Sequence, residues 1–294
     1  MPTAAVNAAT TMPDKQSAVS SLAQRVVTGS LLAAVVAAAT LLLPSVWFAV
    51  LIAAFALVGA WEWSGMAGWP SAGQRLVYCV ASMPVLLGAG WLLQSQGGAW
   101  AVLLAGLVWW LVALVWVVRF QQGQKVDAMN VPLVRLLVGW LILVPAWAAM
   151  VHLHSALASG PWLVLYLVFL IAIADSAAFF VGRRLGSRRL ASNVSPGKSL
   201  EGVAGALLAT TLFAIAAGLA FRSVPLLGFV VVSLITTLVS ILGDLSESVF
   251  KRRAGLKDSG SIVPGHGGIL DRIDSYTAAA PIFVLGCFWQ GSAL

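Results

Sequence analysis

Charge is scarce in this sequence. Of its 294 residues only 9% are Asp, Glu, Lys or Arg, and 60% are hydrophobic. A soluble domain carries roughly 25% charged residues, so an ordinary soluble globular protein is excluded. Cysteine is nearly absent. Cys79 and Cys287 fall inside apolar runs, too few and too deep for a disulfide framework or a metal cluster. No internal repeat is visible, which counts against the repeat architecture of many transporters. A soluble basic face with stacking aromatics is also missing, so the net charge of +7 does not point to nucleic acid. Basic loops beside anionic lipid account for it. Residues 1–24 lack an apolar core and read as a flexible cytoplasmic tail. The first apolar run has no small-residue cleavage site and reads as a retained span.

What is abundant is apolar sequence in runs long enough for a bilayer, which takes about 20 residues. Nine spans are expected, at 26–43, 46–64, 76–94, 99–118, 134–152, 161–181, 203–221, 225–245 and 271–290. The fold class is therefore all-α, a polytopic integral membrane protein. Pro44 interrupts the first two spans, because proline cannot continue the helical hydrogen-bond ladder. With the N-terminus inside, sixteen of the seventeen Lys and Arg fall on the cytoplasmic side and only Arg222 lies outside. This follows the bias of basic loops toward the cytoplasm and puts the C-terminus outside. The thirteen Trp suit interfacial belts.

Residues 25–155 form a first set of helices with its few charges at helix ends. Glu62, near the cytoplasmic end of the second span, is read as snorkelling to the interface. His152 and His154 have no third ligand nearby and are read as incidental. Residues 156–294 differ: from Asp175 onward they hold seven acids, eleven Lys or Arg, and His266. The chemistry therefore belongs at the cytoplasmic face of this region. Asp175 stands eight residues before Arg183, about 12 Å inside the helix end at 1.5 Å per residue. A carboxylate there needs a polar cavity or a partner. In ASNVSPGKSLEG, Ser195 and Pro196 read as the N-cap and first turn of a helix, with Glu201 near its start. Lys198 and Ser199 beside free amides suit an anion, although the spaced upstream glycine of a P-loop is missing.

Between Asp244 and Asp274 lie five of the ten acids and five of the seventeen Lys and Arg. Asp244, Ser248 and Arg252, and separately Glu247 and Lys251, follow i to i+4 spacing on one helix. Gly255 and the Lys257 to Gly260 segment end that helix, and the glycines around His266 let main chain approach a ligand. Asp271 and Asp274 then sit at i and i+3 on the last span. Hard oxygen ligands of this kind, beside cations, suit Mg²⁺ and phosphate together.

Those residues, Ser248-x-x-Lys251-Arg252-x4-Lys257-Asp258-x-Gly260-x3-Pro264-x-His266-Gly267-Gly268-x-x-Asp271-Arg272-x-Asp274, resemble the signature of phosphatidate cytidylyltransferases, also called CDP-diacylglycerol synthases. DSAAFFVGRRLG and SPGKSLEG resemble the same family, so the likeness covers about residues 170–290. Two positions depart from it: Gly197 stands where a second Lys is usual, and Val263 where a larger apolar residue is.

The resemblance implies transfer of a cytidylyl group from CTP to phosphatidic acid, with Mg²⁺ and room for a second cation such as K⁺. It implies Asp244 and Asp271 as metal carboxylates with Asp274 beside them, and Lys251 as the fourth catalytic residue. It makes Lys198, Lys251, Arg252, Lys257 and His266 candidates for phosphate binding, and Asp175, Ser195, Glu201, Ser248, Asp258, Gly267, Gly268 and Arg272 complete the substrate-binding set expected here. Membrane lipids are the surroundings, a bacterial inner membrane is the expected location, and family members are often homodimers. The competing readings are a cation-coupled transporter of an anionic substrate, a CDP-alcohol phosphotransferase, whose Asp-Gly motif is missing here, and a cytidylyltransferase acting on another lipid phosphate or a polyprenyl alcohol.

Overall fold

The computed structural model describes residues 34–156, 159–221, 225–260 and 267–290. The chain divides into two units between Leu43 and Pro44. In the first, residues 34–42 form helix α1, whose Thr40 hydroxyl donates to the Val36 carbonyl at 2.8 Å. The rest of the first expected span, and the tail before it, lie outside the described residues.

In the second unit, seven helices are long and apolar enough to cross a bilayer: α2 (Ser45–Met66), α3 (Ala72–Leu92), α4 (Gln96–Gln121), α5 (Pro132–Ser155), α6 (Gly160–Leu185), α7 (Leu200–Phe221) and α8 (Leu226–Arg253). The protein is an all-α integral membrane protein. Helix α9 (Leu270–Trp289) occupies the last expected span. It is not among the seven, since its first two turns carry Asp271, Arg272 and Asp274.

Helices α5 and α9 form the centre. Helix α5 touches α2, α3, α4, α6 and α9, and α9 also touches α2, α4, α6 and α8. The most apolar stretch of α5 is 61% buried, against 22% in α3 and in α7. The outer helices expose rows of large apolar side chains such as Leu76, Leu87, Leu208, Leu212 and Leu219. A face that apolar is not stable in water and is the face lipid covers.

The tryptophans divide in a way their number does not reveal. Trp47, Trp91, Trp162 and Trp289 are exposed, as an interfacial belt requires, but Trp63, Trp109, Trp110 and Trp147 are buried. Trp63 packs edge-on against Phe250 at 4.7 Å and Trp109 against Trp116 at 5.3 Å. These rings fill the core behind the charged end of α8, where large flat side chains bury the most area. His154 stacks on Phe48 at 4.1 Å and lies 3.0 Å from the Ser45 hydroxyl, and His152 meets Phe288 edge-on.

One segment corrects the sequence reading. Ser195 and Pro196 do not begin a helix. Ser195–Ser199 is a strand, β2, paired antiparallel with β1 (Arg189–Ala191). Helix α7 starts only at Leu200, and the Ser199 hydroxyl accepts from Gly202 N at 3.1 Å. The physical cause is tertiary. Val194, in the hairpin turn, is fully buried in the cluster that holds Val117 and Met129. Gln121, at the end of α4, accepts from Asn193 N at 2.9 Å and donates to Ser192 Oγ at 3.0 Å. These contacts hold extended a stretch whose composition suits a cap.

The hairpin yields a paired prediction. Val194→Asp puts an unpaired carboxylate in an apolar pocket, at a cost of about 2 kcal/mol or more. Its thermal midpoint in detergent is expected to fall by several degrees. Gly197→Lys is expected to leave the midpoint unchanged, because a Cβ there meets nothing within 4 Å and the rest of the chain can extend from an exposed strand position.

Helix α8 ends as the sequence suggests. Gly255 takes φ +70°, its N–H bonds Arg252 O at 3.2 Å, and Leu256 N bonds Lys251 O at 2.9 Å. This pairing satisfies the last carbonyls and requires a residue that tolerates a left-handed backbone.

Candidate active site

The site is built where α8 crosses α9. Gly243 sets the distance between them: a Cβ there would lie 2.5 Å from the Asp274 carbonyl and 2.9 Å from Ala278 Cβ. With no side chain in the way, the next residues of α8 meet the first turns of α9.

Lys251 Nζ lies 2.6 Å from Asp271 Oδ1 and 3.2 Å from Glu247 Oε2. The three side chains are 12%, 12% and 4% exposed, so these are buried pairs. Asp271 Oδ2 accepts three further hydrogen bonds, from Ser259 N (2.9 Å), Ser259 Oγ (2.9 Å) and Gly268 N (2.8 Å). One turn deeper, Lys198 Nζ from β2 lies 2.7 Å from Asp244 Oδ2, and Ser248 Oγ approaches Asp244 Oδ1 at 3.4 Å. Asp175 on α6 is exposed and near enough to Lys198 and Asp244 for both charges to act on it.

Glu247 and Asp274 face each other in side-chain contact. Asp274 Oδ1 accepts from Ser275 N at 2.7 Å, but Glu247 Oε1 is buried and receives no N–H or O–H. Two carboxyl groups in contact need a proton or a cation between them, since both are otherwise acceptors. Five carboxylates (Asp175, Asp244, Glu247, Asp271, Asp274) outnumber the two ammonium groups (Lys198, Lys251) by three.

That surplus, with the undonated Glu247 oxygen, fits a divalent cation by chemistry. Among the described residues no three His, Cys, Asp or Glu side chains already converge as a ready metal group. Mg²⁺ does not require one, being commonly held by one or two carboxylates plus substrate phosphates.

The sequence-expected residues thus divide. Asp175, Lys198, Asp244, Ser248, Lys251, Gly268, Asp271 and Asp274 are brought together. Gly267 adjoins Asp271, since a Cβ there would lie 2.8 Å from its Oδ2. Arg252 at the end of α8, Lys257 and Asp258 on the connection that follows, and Arg272 in the first turn of α9 are exposed. Glu201 stands apart in its contacts: its carboxylate accepts from Ser187 Oγ at 2.8 Å and from Arg188 N at 3.2 Å. Ser195 is in the hairpin, and His266 lies outside the described residues.

Sequence reasoning passed over Glu247, Ser259, Gly243 and Glu62 as site residues. Glu247 carried a signal in its i to i+4 relation to Lys251. Glu62 carried none, and the expectation that it snorkels is wrong. It is 2% exposed and accepts from Ile269 N at 3.0 Å, Leu270 N at 2.8 Å and Ser259 Oγ at 3.1 Å. Those donors stand about two hundred residues away, so no local pattern marks the pairing.

The comparison with known proteins meets this geometry. The cytidylyltransferase family matches residues 23–289. The phosphatidate cytidylyltransferase of Pseudomonas aeruginosa is 42% identical over 265 residues, covering 89% of this chain and 95% of that protein. Its namesake from Haemophilus influenzae is 36% identical over 283 residues, covering 89% and 97%. That of Bacillus subtilis is 42% identical over 131 residues, 42% of this chain and 48% of that protein.

Proposed function

The chain belongs to the cytidylyltransferase family, and from that premise we propose that it transfers the cytidylyl group of CTP to phosphatidic acid, forming CDP-diacylglycerol and pyrophosphate. The single observation that carries this reading is the meeting of Lys198 and Lys251 with Asp244, Glu247, Asp271 and Asp274 where α8 crosses α9.

The reaction follows from charge. An oxygen of the lipid phosphate attacks the α-phosphorus of CTP. The bond from that phosphorus to the oxygen bridging to the β-phosphate breaks, and pyrophosphate leaves with the electron pair. The attacking group is already an anion, so no strong base is needed. The obstacle is the approach of two anions, which fixed cations offset. Lys198 and Lys251, now held by carboxylates, can turn their N–H groups to incoming phosphate. Arg252, Lys257 and Arg272, exposed beside them, attract the triphosphate from water. Holding both reactants in line supplies much of the remaining acceleration.

Asp244, Asp271 and Asp274 would hold Mg²⁺, and the same cluster has the charge for a second cation such as K⁺. When bound, Mg²⁺ neutralises phosphate oxygens and stabilises charge on the leaving pyrophosphate.

We place the site at the cytoplasmic face of a bacterial inner membrane, with the N-terminus inside. Two contacts support one common basic end. Arg253 bonds Asn130, and Gln121, near Arg119, bonds the hairpin that carries Arg189 and Lys198. CTP then comes from the cytosol and phosphatidic acid from the bilayer. A homodimer belongs to the same reading through the family resemblance.

The test is pyrophosphate release by purified protein in mixed micelles. Release is expected only when CTP and phosphatidic acid are both present, and chelation of divalent cations is expected to abolish it. Release without lipid would contradict a transfer reaction.

A further inference from the structure

Glu62 belongs to α2, in the half of the chain that carries little charge, yet its carboxylate ends at the α8–α9 connection. It accepts the two main-chain N–H groups that open α9, those of Ile269 and Leu270. The first amides of a helix have no partner within it, and a carboxylate there also complements the helix dipole. Ser259 joins this cap to the reacting cluster. Its hydroxyl lies 3.1 Å from Glu62 Oε2 and 2.9 Å from Asp271 Oδ2, and its own N–H bonds Asp271 Oδ2.

The surrounding main chain is shaped around this carboxylate. A Cβ at Gly260 would lie 2.5 Å from Glu62 Oε1, and one at Gly268 would overlap Glu62 and Ser259. A buried carboxylate with three donors converging on it is expensive to place for packing alone.

We infer that Glu62 is a positioning residue for the proposed transfer: it clamps the start of α9 and, through Ser259, fixes the place of Asp271. It touches no substrate. The inference rests on the proposed reaction and explains why a helix of the charge-poor half is needed by the site.

Glu62→Gln keeps the shape but turns an amide N–H₂ toward groups that are themselves donors. Turnover at saturating substrates is expected to fall at least tenfold, the scale of a displaced reacting group, with KM for phosphatidic acid within twofold. Ser259→Ala, which leaves the cap intact, is expected to give a smaller loss of the same kind.

A second measurement does not depend on the reaction. In detergent, deuterium uptake by a peptide covering 267–275 is expected to speed up in Glu62→Gln, while peptides of α5 stay unchanged. Wild-type turnover with unaltered turnover in Glu62→Gln would overturn the inference and leave the proposed reaction standing. So would unchanged uptake over 267–275, or faster uptake everywhere, which would make Glu62 a residue of general stability. Absence of wild-type turnover alongside a local change in uptake would sink the reaction and keep the clamp.

Discussion

Lys251→Met will abolish turnover, to below about 1% of wild type, and will lower the thermal midpoint. The ammonium sits between Glu247 and Asp271, all three largely buried. Removing one partner of a buried pair leaves uncompensated charge and costs about 3–5 kcal/mol. The two effects can be separated. Adding Glu247→Gln removes one of the stranded charges, so the double variant should regain most of the lost stability. It should not regain activity, because the cation that meets phosphate is still missing. The check is a thermal scan beside a turnover assay on all three proteins. Recovery of activity in the double variant would mean that Lys251 only balances charge.

Gly243→Ala should be nearly as damaging, for a different reason. The added methyl would stand 2.5 Å from the Asp274 carbonyl and 2.9 Å from Ala278 Cβ, both on α9. Main chain cannot turn aside as a flexible side chain can, so α8 and α9 must separate. Overpacking of this kind costs about 1–3 kcal/mol. An ångström of misplacement between reacting groups costs on the order of 100-fold in rate. Turnover is therefore expected to drop about 100-fold while the protein stays folded. Gly88→Ala in α3 is the control, since nothing lies within 4 Å of the new methyl, and it should behave as wild type. Equal activity in the two variants would show that the closeness of α8 to α9 is unimportant.

Much of this architecture is legible in the sequence, and the boundary of what is legible has physical causes. Apolar runs of bilayer length announce helices because main chain in lipid must satisfy its own hydrogen bonds, and α2 to α9 lie close to the expected spans. Spacing on one helix was equally legible. Lys251 reaches Glu247, and Ser248 reaches Asp244, as i to i+4 geometry dictates. Gly255 ends α8 through its left-handed backbone. Contacts between distant segments were not legible. The hairpin at Arg189–Ser199 depends on Val194 and Gln121, and its Ser-Pro start imitates a helix cap. Composition suggested an interfacial belt for tryptophans such as Trp63 and Trp110, which are core. Glu62 looked like any acid near a membrane surface until Ile269 and Leu270 were found to donate to it.

The measurement that bears most directly on the central claim uses CTP labelled at the α-phosphate. Purified protein in mixed micelles with phosphatidic acid and Mg²⁺ is compared with Asp271→Asn, which keeps the shape of the side chain but removes its charge. Label should pass into CDP-diacylglycerol with the wild-type protein and fail to do so with the folded variant. Label entering lipid at an undiminished rate with Asp271→Asn, or none entering any lipid phosphate with folded wild-type protein, would contradict the account.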